Sequence, residues 1–300
     1  MNEYIIVSTA VTDDIFQSNL EYVGSYLGGA GIYALAGISL WSNNAKILSG
    51  VGSDFFKRNM PWFEANKLSM DGLYEAAPVT PRTNVQYLSD GERIETPCFG
   101  SSHYKKMEPS PDQILLHCKN AKGIYIFKDA NTAFWNPLLD AKAHEGFVIE
   151  WEINADSAKT EYYSTVKSIA EQCDIFSINL HEAFSLLGVD SLDNAIDLFY
   201  KWNVPVIFLR TGSSGSVIIR DHKTTYIPSI PNTTVLDPTG AGNASSAAVL
   251  FGFCEGYSDY DCGILGSISA AMVIAQYGPP TNILNERDRA QILFQQFSTR

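Results

Sequence analysis

Three hundred residues with 45% hydrophobic and 18% charged side chains can bury a substantial core, which excludes disordered, collagenous and low-complexity classes. Twenty-one Lys and Arg against 33 Asp and Glu leave a formal net charge of −12, a balance that repels phosphate backbones and anionic bilayers, so no nucleic acid and no membrane partner is expected. Five scattered cysteines with no Cys-x-x-Cys pair predict reduced, mostly buried thiols.

Met1 to Ala10 carries Glu3 before a short apolar run and no Lys or Arg, and no apolar stretch reaches the roughly 20 residues of a bilayer span, so a cytoplasmic protein is expected. Tyr4 to Val7 reads as a strand and Ala30 to Trp41 as a helix entered through Gly28-Gly29. Ala45 to Val51 reads as a strand that stops at Gly52, and Asp54 to Lys67 as a helix. Arg82 to Phe99 then breaks the rhythm, with two β-rich runs around Asp90-Gly91, a pair that favours a tight hairpin turn. Together with strand residues between Ile15 and Leu27 it predicts a small β lid built from about 15–27 and 82–99; an edge hairpin of the main sheet is the alternative.

Alternation resumes downstream. Gly123 to Phe127 and Gly146 to Trp151 read as buried strands, Ser157 to Gln172 as a helix, and Asp174 to Ile178 as a strand. Leu192 to Trp202 then reads as a helix and Val204 to Leu209 as another strand. The pattern predicts an α/β fold, a doubly wound and mostly parallel sheet with helices on both faces and ligands at the carboxyl ends of its strands. Without repeats or linkers, residues 1–300 are expected to form one domain.

The most informative stretch is Thr234 to Glu255. The polar, glycine-bearing run Asp237-Pro-Thr239-Gly240-Ala241-Gly242 feeds into an apolar helix over Ala244 to Cys254. Two glycines would let the backbone amides of Gly240 to Asn243 converge on one anion at the positive end of a helix dipole. An ordinary loop capped by Asn243 is the alternative.

The run DPTGAGN resembles the D-T/P-T-G-A-G-D signature of the ribokinase-like, or pfkB-type, carbohydrate and nucleoside kinases. Asn179-Leu-His-Glu182 resembles that family's N-x-x-E, and Gly28-Gly29 its N-terminal glycine pair. Val51-Gly-Ser-Asp-Phe55 resembles V-G-x-D-x-F, and Arg210-Thr-Gly212-Ser-Ser-Gly215 the nucleotide-binding T/R-x-G-x-x-G. The resemblance implies a kinase that uses ATP and Mg²⁺ to phosphorylate a primary hydroxyl of a small sugar or nucleoside. Gly240, Ala241, Gly242 and Asn243 would form the anion hole, and Asn179 with Glu182 would hold Mg²⁺ through water. Arg210, Gly212 and Gly215 would meet ATP; Asp14, Gly28 and Gly29 would meet the substrate. Asp237 and Thr239 are candidates for a monovalent cation such as K⁺, with Tyr277-Gly278-Pro279 and Asn282 as further contributors, or Asp237 simply orients the loop. Arg82 either meets an anionic group of the substrate or is solvated. A homodimer through the lid is expected. Zinc is not, because the His181-Glu182 pair lacks its second His, residue 185 being Ser.

Asn243 departs from the family, which places a general-base Asp there. General base assistance supplies about 10²- to 10⁴-fold, while positioning and electrostatics carry most of a loose phosphoryl transfer. Turnover therefore remains feasible with Asn243 orienting the hydroxyl, and the alternative is a pseudokinase that binds without turnover. From the loop alone, Asn243→Asp should raise the rate if catalysis is limited by the missing base. The next downstream carboxylate is Glu255. Glu150-Trp151-Glu152 is a second departure, read either as part of the active-site floor or as a solvated strand end. Tyr22, Tyr26, Tyr33 and Phe99 either stack on a ligand or pack the lid.

Overall fold

The first strand is apolar throughout, and its alternation shows why. Ile5 and Val7 enter one hydrophobic core while Tyr4 and Ile6 enter another. A strand buried on both faces belongs in the middle of a sheet sandwiched by helices. The computed structural model, which describes residues 3–88 and 93–298, places it there.

Along the described chain run β1 (Tyr4–Val7), β2 (Val11–Phe16), β3 (Tyr22–Gly28), β4 (Ala45–Gly52), β5 (Leu73–Ala77), β6 (Arg82–Tyr87) and β7 (Arg93–Pro97). β8 (Gly123–Lys128), β9 (Val148–Ile153), β10 (Ile175–Asn179), β11 (Val206–Arg210), β12 (Ser216–Arg220) and β13 (Lys223–Ile227) follow. Nine of them form one sheet in the order β13-β12-β11-β10-β9-β8-β1-β4-β5, parallel from β11 to β5 and ending in the antiparallel β12–β13 hairpin. One face is covered by helices 111–118, 132–145, 163–170, 180–187 and 192–199; the other by helices 30–39, 53–65, 241–254, 259–273 and 283–297.

The chain leaves β1 toward β4 on one side and returns to β8 on the other, so a crevice opens at the carboxyl ends of β1 and β8. Over that end stands a second sheet, β3-β2-β6-β7. It begins at Val11 rather than Ile15, which brings Asp13 and Asp14 into a strand. The Asp90-Gly91 turn lies outside the described residues; the strands beside it pair antiparallel, with Val85 opposite Glu95.

Two boundaries differ from expectation for identifiable reasons. β9 starts at Val148 because Gly146, at φ 76°, closes the preceding helix Thr132–Glu145. The helix expected from Ser157 begins only as a short 3₁₀ turn at Thr160, because the Ser157 hydroxyl instead accepts the Ala130 amide at 2.9 Å. All five cysteines are free, and Cys118, Cys173 and Cys262 are buried. Among the described residues no helix is long and apolar enough to cross a membrane.

Candidate active site

The helix after the glycine loop starts at Ala241, one turn earlier than its apolar run suggests. Gly240 precedes it at φ 79°, and a Cβ there would fall 2.0 Å from the Tyr33 ring. Asn243 therefore lies inside the first turn and does not cap the helix, which corrects the capping alternative. The first-turn amides have no carbonyl of their own helix to bind, and they share the positive end of its dipole.

This turn stands where two cavities meet. A cleft of about 980 Å³ lies between the strand ends and the small sheet, and contains Asp13, Gly29, Tyr33, Asn179, Glu182 and Asn243. A smaller cavity of about 520 Å³ lies beyond, walled by Ile230, Val235, Ala271 and Ile274 and by the turn carrying Gly212 and Gly215. Arg210, Gly212, Pro238, Ala241 and Gly242 line both. Gly242 is required by close approach, since a Cβ would fall 2.0 Å from Arg210 Nη1.

Beneath the turn runs a hydrogen-bonded floor. Arg210 Nη1 donates to Glu152 Oε1 at 2.7 Å, Asn243 Nδ2 donates to the same oxygen at 3.1 Å, and Tyr125 Oη donates to Glu152 Oε2 at 2.7 Å. Asn243 Nδ2 also reaches Tyr125 Oη at 3.0 Å. Arg210 Nη2 lies 3.8 Å from Glu182 Oε2. Burial works against the Arg210 charge, but Glu152 and Glu182 outweigh it and its pKa is raised. Burial, reinforced by the Glu152 charge, raises the Tyr125 hydroxyl well above its ordinary value. Glu150 shares the Glu152 face but is fully buried, neither of its oxygens being hydrogen-bonded among the described residues, and burial drives its pKa far up. The solvated strand end is thus corrected: alternation does put both carboxylates on one face, but that face is covered by helix 241–254.

On the small sheet it is Asp13 that enters the cleft, with Gly28 so close that a Cβ would fall 1.8 Å from Asp13 Oδ2. Burial, then the charges of Glu95 and Asp237, push its carboxyl up to about 7, opposed by the Gly29 amide and Arg93. Asp14 points to the other face and is held by Arg82 at 2.9 and 2.7 Å. Arg82 is accordingly neither free nor directed at the cleft. Of the aromatic candidates only Tyr33 lines the cleft; Tyr22 packs on Phe16, Tyr26 on Tyr277 and Phe99 on His103.

Asn179 and Glu182 line the cleft in a reciprocal cap: Glu182 N donates to Asn179 Oδ1 at 2.9 Å and Asn179 N to Glu182 Oε2 at 3.0 Å. Both side chains line the cleft with oxygen atoms, a donor set that fits a hydrated divalent ion. Burial raises the Glu182 pKa against the pull of Arg210. At the other end of the loop, Asp237 Oδ1 accepts from the Tyr87 hydroxyl of β6 and from Thr239 N at 2.8 Å. Among the described residues Asp237 Oδ2 and Thr239 Oγ1 are buried without hydrogen-bond partners, which fits a cation. Asn282 instead caps helix 283–297 through Asn285 N at 3.1 Å. Glu255 ends helix 241–254 in an ion pair with Lys122 at 2.9 Å, far from the loop. Glu152, Tyr125 and Tyr87 are the site residues the loop motif does not reveal; two glutamates inside an otherwise apolar parallel strand are a signal that marks Glu152, while the two tyrosines carry none.

The family model for pfkB family carbohydrate kinases matches residues 5–286. A nucleoside kinase of Methanocaldococcus jannaschii is 27% identical over 267 residues, 86% of this chain and 82% of its own length. Adenosine kinase from Sinorhizobium meliloti superposes with a TM-score of 0.80 at 20% identity, over 96% of this chain and 99% of that one. Burkholderia thailandensis nucleoside kinase in complex with inosine gives 0.75 at 18% identity, over 98% and 96%.

Proposed function

Because the chain belongs to the pfkB family of carbohydrate kinases, we propose that it transfers the terminal phosphoryl group of ATP to a primary hydroxyl of a small sugar or nucleoside at the junction of its two cavities. One observation carries this reading. The amide-bearing first turn of helix 241–254, with the Arg210 cation against Gly242, occupies the wall common to both cavities.

The roles follow from position. The smaller cavity takes the nucleotide, its apolar wall covering the base while the Gly212–Gly215 turn lets the backbone approach. Gly240, Gly242 and Asn243 present amides where negative charge develops on the transferred group, the placement that matters most for a loose transition state; Ala241 N is drawn to Pro238 O at 3.4 Å and would have to leave it to join them. Asp13, rather than Asp14, receives substrate hydroxyls beside Gly28 and Gly29. Mg²⁺, when bound with the nucleotide through water on Asn179 and Glu182, supplies charge neutralisation of the phosphates. Asp237 Oδ2 and Thr239 Oγ1 would hold a monovalent cation such as K⁺ behind the loop. The small sheet acts as a lid, and the Tyr87 hydroxyl on Asp237 ties its position to that of the loop. Closure over the cleft keeps water from the phosphoryl group.

A second reading, a binding protein with little turnover, rests on Asn243, whose amide cannot take the hydroxyl proton at neutral pH. Incubating the protein with Mg·ATP and a panel of sugars and nucleosides, with mass spectrometry of the products, decides between them. A phosphorylated product at turnover above background supports the kinase. Calorimetric binding without product, at high protein and long times, supports the second reading.

A further inference from the structure

The sequence departs from the kinase motif at Asn243, and the structure places an unassigned carboxylate directly against that residue. Glu152 is 3% exposed and accepts from three donors on three different elements: Arg210 at 2.7 Å, Tyr125 at 2.7 Å and Asn243 at 3.1 Å. An ionised carboxylate can only accept, so the Asn243 amide has to turn its NH₂ toward the floor. That leaves Oδ1 as the side-chain acceptor of a residue that lines the cleft. The same carboxylate oxygen fixes Arg210 beside Gly242.

We propose that Glu152 is a positioning residue for phosphoryl transfer, orienting the Asn243 carbonyl toward the substrate hydroxyl and clamping Arg210 at the anion turn, and that its charge is what makes an amide the fitting residue at 243. This rests on the kinase reading above. It also reverses the expectation drawn from the loop alone. Asn243→Asp would set two carboxylates about as far apart as the present 3.1 Å contact, and like charges at that range do not both ionise. One acid would retain its proton at neutral pH and neither would serve as a free base. The groups facing this pair are Tyr125 from β8, Arg210 from β11, Glu182 from helix 180–187, and Glu150 two residues back on β9.

Four proteins test this: the native chain, Glu152→Gln, Asn243→Asp, and the double variant, each followed by thermal unfolding from acid to mildly alkaline pH and by turnover. Tyr125, Arg210, Glu182 and Glu150 all feel the Glu152 charge, so the 152–243 pair is read from the coupling over the whole cycle, in which the effect of Glu152→Gln on those groups cancels. A pair whose proton is held more tightly in the folded state loses stability as pH rises. Asn243→Asp should therefore melt progressively lower with rising pH than the native chain, and the double variant should lose that extra slope. In turnover, Glu152→Gln and Asn243→Asp should each fall by about 10²-fold, the scale of a misplaced reacting group, and the double variant should recover much of what Asn243→Asp loses. An Asn243→Asp protein with the native pH slope, or one faster than native while Glu152 is intact, overturns the proposal. The two claims separate cleanly. A native protein that makes no phosphorylated product defeats the kinase reading, whereas an active native protein with uncoupled melting curves defeats only the role of Glu152.

Discussion

Asp13 and Asp14 are adjacent on β2, whereas Glu150 and Glu152 are two apart on β9, and the two-residue period of a strand separates their surroundings. The adjacent pair splits across the sheet, one acid into the cleft and the other into an ion pair with Arg82. The spaced pair shares a face, yet Glu152, nearer the strand's carboxyl end, meets three side-chain donors, whereas among the described residues neither Glu150 oxygen has a hydrogen-bond partner. Phase decides which face an acid sees, and position along the strand decides whether it meets donors. Each pair also pins an arginine, so the two ion pairs compare a closed environment with an open one. The Arg210–Glu152 side chains are 13% and 3% exposed, those of Arg82–Asp14 36% and 12%.

The sharpest break in that comparison comes from removing the cation in the closed environment. Arg210→Met strands Glu152 as an uncompensated buried charge and should destabilise the fold by about 3–5 kcal/mol in urea unfolding. Replacing both partners by apolar residues of similar volume should cost much less. If Arg210→Met unfolds at the native midpoint, the floor is wetter than described and the contrast with Arg82 fails.

Asp13 sharpens the comparison at intermediate scale, because it is the buried acid that lines the cleft. Its folded pKa of about 7 lies above its ordinary 3.8, so the folded chain binds the extra proton and stability falls as pH rises between those values. If Asp13 receives substrate hydroxyls as proposed, they donate to its carboxylate form, so kcat/KM should climb with pH to a plateau above about 7. Asp13→Asn should flatten both profiles and lower kcat/KM by about 10- to 100-fold, the value of a hydrogen bond to a charged group. A native profile in Asp13→Asn would return the substrate role to Asp14.

How far the sequence anticipates this molecule depends on whether a feature is local. Continuous apolar runs mark β1, β4, β8, β10 and β11 because a strand buried on both faces leaves no other pattern. The glycine turn is likewise readable, since its amides come from consecutive residues. Helix 132–145 escapes because Pro137 interrupts its pattern, and helix 259–273 because Gly263, Gly266, Ser267 and Ser269 dilute its apolar face. The floor under Asn243 is not local at all. Tyr125, Glu152 and Arg210 come from three strands, and their convergence depends on register, which places Phe127 beside Glu152 and Asn179 beside Arg210. Choosing Asp13 over Asp14 needs the phase of β2, which depends on where that strand starts.

The smallest expected effect concerns the open ion pair. Arg82 is bidentate on Asp14 and also donates to Ser25 Oγ at 3.1 Å, and Asp14 is held below the ordinary carboxylate range by these bonds despite its partial burial. Geometry alone would rank it beside Arg210–Glu152. Solvent reverses the ranking, because Arg82 stays hydrated and Asp14 can be rehydrated when its partner leaves, so Arg82→Met should cost about 1 kcal/mol or less. The Asp14 share of that stability is present above the ordinary carboxylate pKa and is lost as pH falls through its lowered value. Salt should weaken it too, whereas the Arg210–Glu152 contribution should be nearly insensitive to salt. Urea midpoints of Arg82→Met and the native chain at low and high NaCl measure this directly; a loss as large as that of Arg210→Met, or one that salt leaves unchanged, would mean the small sheet shields its outer face as thoroughly as the helix shields β9.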